Sequence, residues 1–554
     1  MMLKKKFTPA FFVLAGILVV FVLTLPAPPC AQSAGLRYGT WELDGFVRNN
    51  SGVWLESFDY TFDNDPLATF RNWFRLNLNG AFTRDLRLKA EVLAIWEPDY
   101  AREEEAFDAD KRITANYYNY LDFRELRLDW RISSGHYLRV GRQIVNWGES
   151  ISARVGDVIN PVDSRWELGF TNLEDTRMPI WMVRGLHKFR SLRTSLDWIF
   201  SPYLQTDRYR VNRTPSNIGH FFVDGNFIPG PRFAGYHETL EHQEDYYNAP
   251  TFVFDPTIAP VALPISVVPG LPVIGAPFGR TFYTALPADF FYPGSPAGNY
   301  LTGAPNVLET DYPDSSLEDA RWGLKTSSTI MGWQAGFYFW DANELSPVFE
   351  IERSFLLPTG LTVYDIRAKY PRQQVYGLYT NKNFDFGVVR MDAAYRPNRE
   401  YNTLDRTVPS GIVEKDFLQV QLGFNRDMMI RKINPNQAFS FIFEYVLEYF
   451  LEDTDKAAVP SYFIEYPRDL HTLFFSGSTN YNFGKYTYAL TAIYNSEECG
   501  LVQPSITYNP DWMNRKWTFK LQYSALFGSD YSYPYGLAKE KDMIVLTTQY
   551  SFPQ

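Results

Sequence analysis

From Phe439 to Tyr449 the chain alternates. Phe439, Phe441, Phe443, Tyr445, Leu447 and Tyr449 fall on one side, and Ser440, Glu444 and Glu448 on the other. Trp517, Phe519, Leu521, Tyr523, Ala525 and Phe527 share a side opposite Lys516, Thr518, Lys520, Gln522 and Ser524. Leu126, Leu128, Trp130 and Ile132 oppose Glu125, Arg127, Asp129 and Arg131, and Val389, Met391, Ala393 and Tyr395 oppose Arg390, Asp392 and Arg396. A period of two held over about ten residues describes a β-strand with a different environment on each face. Short polar turns join such runs. Thr83-Arg84-Asp85, Ser133-Ser134-Gly135 and Gly484-Lys485 each separate two of them, so neighbours pair as antiparallel hairpins.

Two architectures use strands of this kind. A sandwich turns its apolar faces inward, whereas a membrane barrel turns them to lipid and lines a wet lumen with the polar faces. Run length separates them, because sandwich strands usually span ~5–6 residues and membrane strands ~9–11. The runs here have the membrane length. Aromatic residues make up 17% of the chain, a share that suits girdles at the two membrane interfaces. The expected fold is therefore all-β, a transmembrane antiparallel β-barrel of about 16 strands within a range of about 14–18. In the last run Ile544, Leu546, Thr548, Tyr550 and Phe552 share a face. This resembles the closing strand that the barrel assembly machinery of bacterial outer membranes reads, with Pro553 and Gln554 added after the usual aromatic end.

The N-terminus has the form of a secretory signal, expected to occupy residues 1–34. Lys4, Lys5 and Lys6 precede an apolar run from Phe11 to Leu25, and small residues at Ala31, Ser33 and Ala34 place cleavage near 31–34. A lipoprotein signal needs small residues before Cys30, where Pro28 and Pro29 stand. No later run reaches the ~20 apolar residues of a membrane helix. The net charge of −10 argues against nucleic acid as a partner. Once the signal is removed, Cys499 is the single cysteine, which excludes an internal disulfide, a CxxCH haem site and a cysteine zinc site. No cofactor is expected.

Strand-like alternation fills residues 35–202 and 317–554, the expected first and second parts of the barrel. Between them, 203–316 reads as a long insertion. Residues 250–305 hold eleven prolines, and "IAPVALPISVVPGLPVIGAPFG" at 258–279 is apolar throughout yet unable to form a regular helix. Three roles fit: a plug or greasy lining inside the barrel, a docking surface for a partner, or a self-packed surface loop.

On the polar faces, Arg75, Arg127, Asp129, Arg131, Arg139, Gln143, Arg390, Asp392, Glu444, Glu448 and Lys520 are the candidate lumen-lining residues. Both signs are present. Cross-strand pairing that stiffens the wall and a transverse field that orients a solute both fit. In "YLRVGRQIVNWGESISARVGDVINPVD" (137–163), Arg139 and Gln143 fall on the lumen side while Arg142 falls on the lipid side. Either a bulge near Gly141 flips the register, which is the favoured reading, or Arg142 lies at the interface and snorkels. Trp147, Glu149, Asn160, Pro161 and Asp163 are loop or constriction candidates, able to contact a solute or simply to end the strand and fold a loop inward. "HETLEH" at 237–242 misses the zinc spacings HExxH and HxxEH by one residue, so no metal site is expected. No serine-centred motif surrounds the six histidines, and no catalytic residue is assigned.

"RVGRQIVNWGES", "INPVD", Tyr370-Pro371 and "AAYRPN" at 393–398 together resemble a proteobacterial outer-membrane family catalogued as domain of unknown function 1302. The resemblance implies a large barrel in the outer membrane of a Gram-negative bacterium. It also implies an association with RND-superfamily (MMPL-type) exporters and a LolA-like periplasmic protein. The function so implied is a non-enzymatic channel or export component for a hydrophobic or lipidic molecule. The alternatives are a general diffusion porin and a non-conducting structural or docking barrel. Expected contacts are outer-membrane lipid and, through Tyr550 and Phe552, the assembly machinery.

Overall fold

A computed structural model describes residues 36–38, 41–55, 67–96, 119–163, 173–203, 205–207, 319–346, 348–356, 362–403 and most of 405–552, with 222–223, 226–227, 306–307 and 317. The signal segment, "HETLEH" and the proline-rich stretch 250–305 lie outside the described residues.

Eighteen strands form the wall. The first seven are β1 (Trp41–Trp54), β2 (Leu67–Ala81), β3 (Leu86–Trp96), β4 (Asn119–Ser133), β5 (His136–Gln143), β6 (Ile180–Phe189) and β7 (Thr194–Ser201). After the insertion come β8 (Arg321–Ile330), β9 (Trp333–Asn343), β10 (Arg372–Phe384), β11 (Gly387–Asn402), β12 (Ile412–Met428) and β13 (Phe439–Phe450). The last five are β14 (Asp469–Tyr481), β15 (Tyr486–Asn495), β16 (Gly500–Tyr508), β17 (Trp517–Phe527) and β18 (Met543–Phe552). Each strand pairs antiparallel with the next. β7 pairs with β8 across the insertion, and β18 returns to β1 from Gly45↔Phe552 to Trp54↔Met543, which closes the barrel. The strand count stands at the top of the expected range. The short strand Leu36–Tyr38 pairs with the first residues of β1, and Val348–Leu356 with Thr362–Lys369 forms a separate hairpin.

The alternation read from the sequence becomes two surfaces. Phe123, Leu128, Trp130, Leu378, Leu422, Phe443, Leu473, Leu521 and Leu546 stand exposed on the outside, as side chains facing acyl chains do. No helix among the described residues is long and apolar enough to cross a membrane. The crossing is made by strands. Short turns (82–85, 134–135, 190–193, 331–332, 385–386, 482–485) lie at the end where β18 finishes. Outside that end aromatic rings meet strand to strand: Tyr486 stacks on Tyr508 at 5.1 Å and Phe552 on Phe74 at 6.1 Å, while Trp517 tilts against Tyr550 at 5.1 Å. The longest connections, including 144–179 and 202–320, leave from the opposite end.

The bulge expected near Gly141 is not where the ladder breaks. β5 pairs with β4 without a shift from Leu138 to Arg142, and with β6 throughout. Gly141 instead takes a φ of 130°, a twist that only glycine makes easily. Arg142 keeps its outward parity, in the row of Leu126 and Trp181, at the long-loop end of β5. Its guanidinium folds back onto Asp122 and donates to the carbonyls of Phe123 and Pro179. The extra residue lies instead in β4, where Arg124 has no partner opposite Glu91 and Val92 and both Arg124 and Glu125 turn inward.

A charge in the lipid belt costs ~2–4 kcal/mol near the membrane midplane and little in the lumen. Leu422→Arg, on the outer face of mid-β12, should lower stability by about that amount in urea unfolding from vesicles. Thr491→Arg, on the inner face of β15, should change it by less than about 1 kcal/mol. Equal effects would contradict the assignment of faces.

Candidate functional site

The connection from β5 to β6 turns into the barrel rather than away from it. Asn160 staples its base. The side-chain oxygen accepts the Val145 N–H at 2.7 Å, and the amide nitrogen donates to the carbonyls of Gln143 (3.2 Å) and Met178 (2.8 Å). Pro161 adds its carbonyl, which accepts the Met178 N–H, and Asp163 donates its N–H to the Thr176 carbonyl.

Above this base the loop packs against the inner wall. Trp147, only 1% exposed, sits with Val155, Ile159, Ile180, Ile199, Tyr338 and Trp340 in an apolar core inside the lumen. Its indole N–H donates to Asp197, and its carbonyl accepts from Lys325 Nζ at 2.7 Å. Trp147 is therefore a packing anchor and is covered from any solute, as are Asn160, Pro161 and Asp163.

Two wall carboxylates then catch the loop backbone. Glu444 on β13 accepts the N–H groups of Ile151 (3.0 Å) and Ser152 (2.8 Å), both serine hydroxyls at Ser150 and Ser152, and Arg390 Nη2 at 2.9 Å. Asp392 on β11 accepts the Glu149 N–H and the Tyr338 hydroxyl, each at 3.0 Å. Arg390 completes the clasp by donating to the Glu149 carbonyl at 2.6 Å. Two loop glycines allow this approach. A Cβ on Gly148 or Gly156 would stand 2.9 or 2.7 Å from Asp392 Oδ2. Gly377 leaves room on β10 for the Tyr338 ring to lie flat, since a Cβ there would be 1.8 Å from Tyr338 Cζ.

The same excursion reaches the other side of the barrel. Asp175 pairs with Arg48 on β1 (3.1 Å) and Arg75 on β2 (3.5 Å), and its carbonyl accepts from Arg124 on β4. In an eighteen-strand ring β2 and β4 stand opposite β11 and β13. The loop is thus fastened to two facing walls and spans the lumen. The ion pair Asp157–Arg177, at 2.7 Å, ties its two arms together, and Arg154 pairs with Asp207 at 3.2 Å. Burial pushes the Asp207 carboxyl above its ordinary range, against the pull of Arg154 and the Val162 N–H.

The remaining candidates occupy separate parts of the wall. Arg127, Asp129 and Arg139 form one cross-strand network on β4 and β5. Arg131 pairs with Asp85 at the short-turn end. Gln143 faces inward but is fully buried beneath the loop, donating to the Met182 carbonyl. Glu448 accepts from the Tyr466 hydroxyl at 2.7 Å. Lys520 lies on the inner face of β17 between Thr507 and Thr547. The structure therefore gathers Arg390, Asp392, Glu444, Trp147 and Glu149 around the loop, with Gln143, Asn160, Pro161 and Asp163 at its base and Arg75 on the facing wall, and leaves Arg127, Asp129, Arg131, Arg139, Glu448 and Lys520 apart. Sequence reading missed Asp175, Asp157, Arg177 and Tyr338. The first three belong to no alternating run, and Tyr338 is one tyrosine among many.

A family model described as a protein of unknown function, DUF1302, matches residues 127–552, and the chain belongs to that family. No curated protein matches it. Among solved structures it is similar to OccAB2 of Acinetobacter baumannii, with 10% identity over 92% of this chain and 98% of that one and a TM-score of 0.45. It is also similar to the outer membrane protein opdK of Pseudomonas aeruginosa (8%, 92% and 98%, 0.43) and to the outer membrane channel DcaP of A. baumannii (12%, 94% and 100%, 0.37).

Hydrogen bonds to a buried charge contribute ~1.5–3 kcal/mol each. Glu444→Gln keeps the shape and removes the charge, so it should weaken loop docking by about 2 kcal/mol. Amide exchange at Ile151 and Ser152 should accelerate while the β15–β17 ladder stays protected. Unchanged exchange at those two amides would show that Glu444 does not hold the loop.

Proposed function

We propose that this chain is an outer-membrane channel whose lumen is narrowed by the clamped 144–179 loop, and that it carries a molecule with a substantial apolar part. A transmembrane barrel with an aromatic closing strand, in a family matched over most of the chain, supports the location. The loop supports a channel with a fixed constriction over a wide open pore.

The observation that carries the apolar reading is the inner surface of the barrel toward its long-loop end. There the inward faces carry apolar clusters among their polar residues. Trp73, Leu93 and Ile95 cluster on β2 and β3; Tyr401, Phe417 and Phe450 on β11–β13; Phe474, Ile493, Leu501 and Leu526 on β14–β17. A pore for sugars and salts gains nothing from such patches, because water wets them poorly. A hydrophobic solute gains a wall to slide along once the covering loops part. The connection that holds the proline-rich stretch leaves after Ser201 and returns before Arg321 at this same end of the barrel. The short-turn half of the lumen is charged and hydroxylated, so the route as a whole suits an amphipathic molecule. The chemistry needed is passage, with no bond made or broken. We further propose that an RND-superfamily exporter and a LolA-like carrier deliver the molecule from the periplasm.

In planar bilayers the native barrel should give small currents, and replacing 146–158 by a short Gly-Ser linker should enlarge them. Vesicles holding the native barrel should bind and pass a fluorescent fatty alcohol faster than empty vesicles. Rapid, unselective swelling with sugars would point to a general porin. Silence in both assays, with and without the loop, would point to a structural barrel.

A further inference from the structure

We propose that the transported molecule carries an anionic group, a carboxylate or a phosphate, guided by the inner face of β3–β8 and held by Arg321 at the mouth from which the long connections leave. This rests on the channel reading and adds the charge of the solute. Three observations converge on it.

The first is an asymmetry across the lumen. The inner face of β14–β18 is built from hydroxyls, amides and apolar groups, among them Ser476, Thr491, Gln503, Thr518 and Gln549. Lys520 is the one charged residue on it among the described residues. Half a turn of the barrel away, the inner face of β3–β8 is dense with charge.

The second is that the carboxylates on that face are oversubscribed. Glu91 serves both Arg75 and Arg124, Glu125 serves both Lys89 and Arg127, and Asp129 serves both Arg127 and Arg139. Three carboxylates thus serve five cations, Arg75, Arg124, Lys89, Arg127 and Arg139, and even with Asp175 on Arg75 a positive remainder is left; Arg87 adds an exposed guanidinium near the start of β3. In a narrow channel with low-dielectric walls such a remainder is focused along the lumen instead of being screened as on an open surface.

The third is Arg321. It begins the inner face of β8, on the same side as Gly323 and Lys325, and is 1% exposed. Among the described residues neither Nη atom has a hydrogen-bond partner. A buried guanidinium with both fork nitrogens unsatisfied is costly, and its geometry matches the two oxygens of a carboxylate or phosphate. Arg372 beside it pairs with Asp341 and donates to the Ala320 carbonyl, whereas the Arg321 fork is left to receive an anion.

The test uses the full-length barrel in planar bilayers. In a potassium chloride gradient the native channel should be anion-selective. Arg87→Glu, a change at an exposed position that folding does not depend on, should reduce or reverse that preference. Decanoate and decyl phosphate should block the current, separating carboxylate from phosphate preference by their relative potency, while decyl maltoside and decyltrimethylammonium should block weakly. Arg321→Gln should weaken block by the two anions about tenfold or more and leave decyl maltoside unaffected, with Arg321→Lys intermediate. Cation selectivity in the native channel, or equal block by all four amphiphiles, overturns the anionic assignment and leaves the channel standing. A barrel that never conducts overturns both.

Discussion

Hydrocarbon offers no hydrogen bonds, and the wall of this molecule is built around that fact. Every backbone N–H and C=O at membrane depth needs a partner on a neighbouring strand, so the sheet can have no edge. The pairing of β18 with β1 is what removes the edge. Once the ring is closed, the two-residue period of the strand assigns every side chain to lipid or to lumen. The outer leucines and phenylalanines, the stacked aromatics at the short-turn end and the inner charges all follow from this one geometric constraint. Arg142 illustrates its strength. The ladder keeps it on the lipid side, and the side chain bends back to Asp122 and two carbonyls because an extended guanidinium would meet acyl chains.

The lumen poses the opposite problem. A loop folded into it has unpaired backbone N–H groups and no strand to join. Glu444 and Asp392 supply what a strand would have supplied, as carboxylate oxygens accept several donors at once from Glu149, Ile151 and Ser152. Arg390 offsets the cost of burying Glu444 and catches a loop carbonyl with the same side chain. On the facing wall the arrangement is reversed, with arginines at Arg48, Arg75 and Arg124 holding an aspartate of the loop. A loop tied by acids on one side and bases on the other has a definite position across the lumen. That position defines the constriction through which any solute passes.

The closed sheet was legible because alternation is a local property, visible within ten residues. The inward placement of Arg390, Asp392, Glu444 and Lys520 was legible for the same reason. Their partners were not, because Glu444 meets Ser152 across 292 positions of sequence and nothing local announces the meeting. Trp147 and Asn160 drew notice as a tryptophan and an asparagine closing a strand and opening a loop. Whether they would touch a solute or anchor the loop depended on what packed over them, and Trp147 proved to be the centre of an apolar core. The bulge was misplaced because an isolated glycine inside a strand pattern is a common sign of one. The real one, at Arg124, is hidden in a run whose charges suit either register.

The sequence by itself determined that the chain crosses a membrane as strands and which face of each strand is apolar, since period, run length and turn residues are carried by neighbours in the chain. Tertiary structure alone decided the strand number, the inward path of residues 144–163, the clasp of Arg390, Asp392 and Glu444, and the solitary guanidinium of Arg321. These depend on which strands stand opposite one another around a closed ring, and that distance is set by the circumference of the barrel and not by separation along the chain.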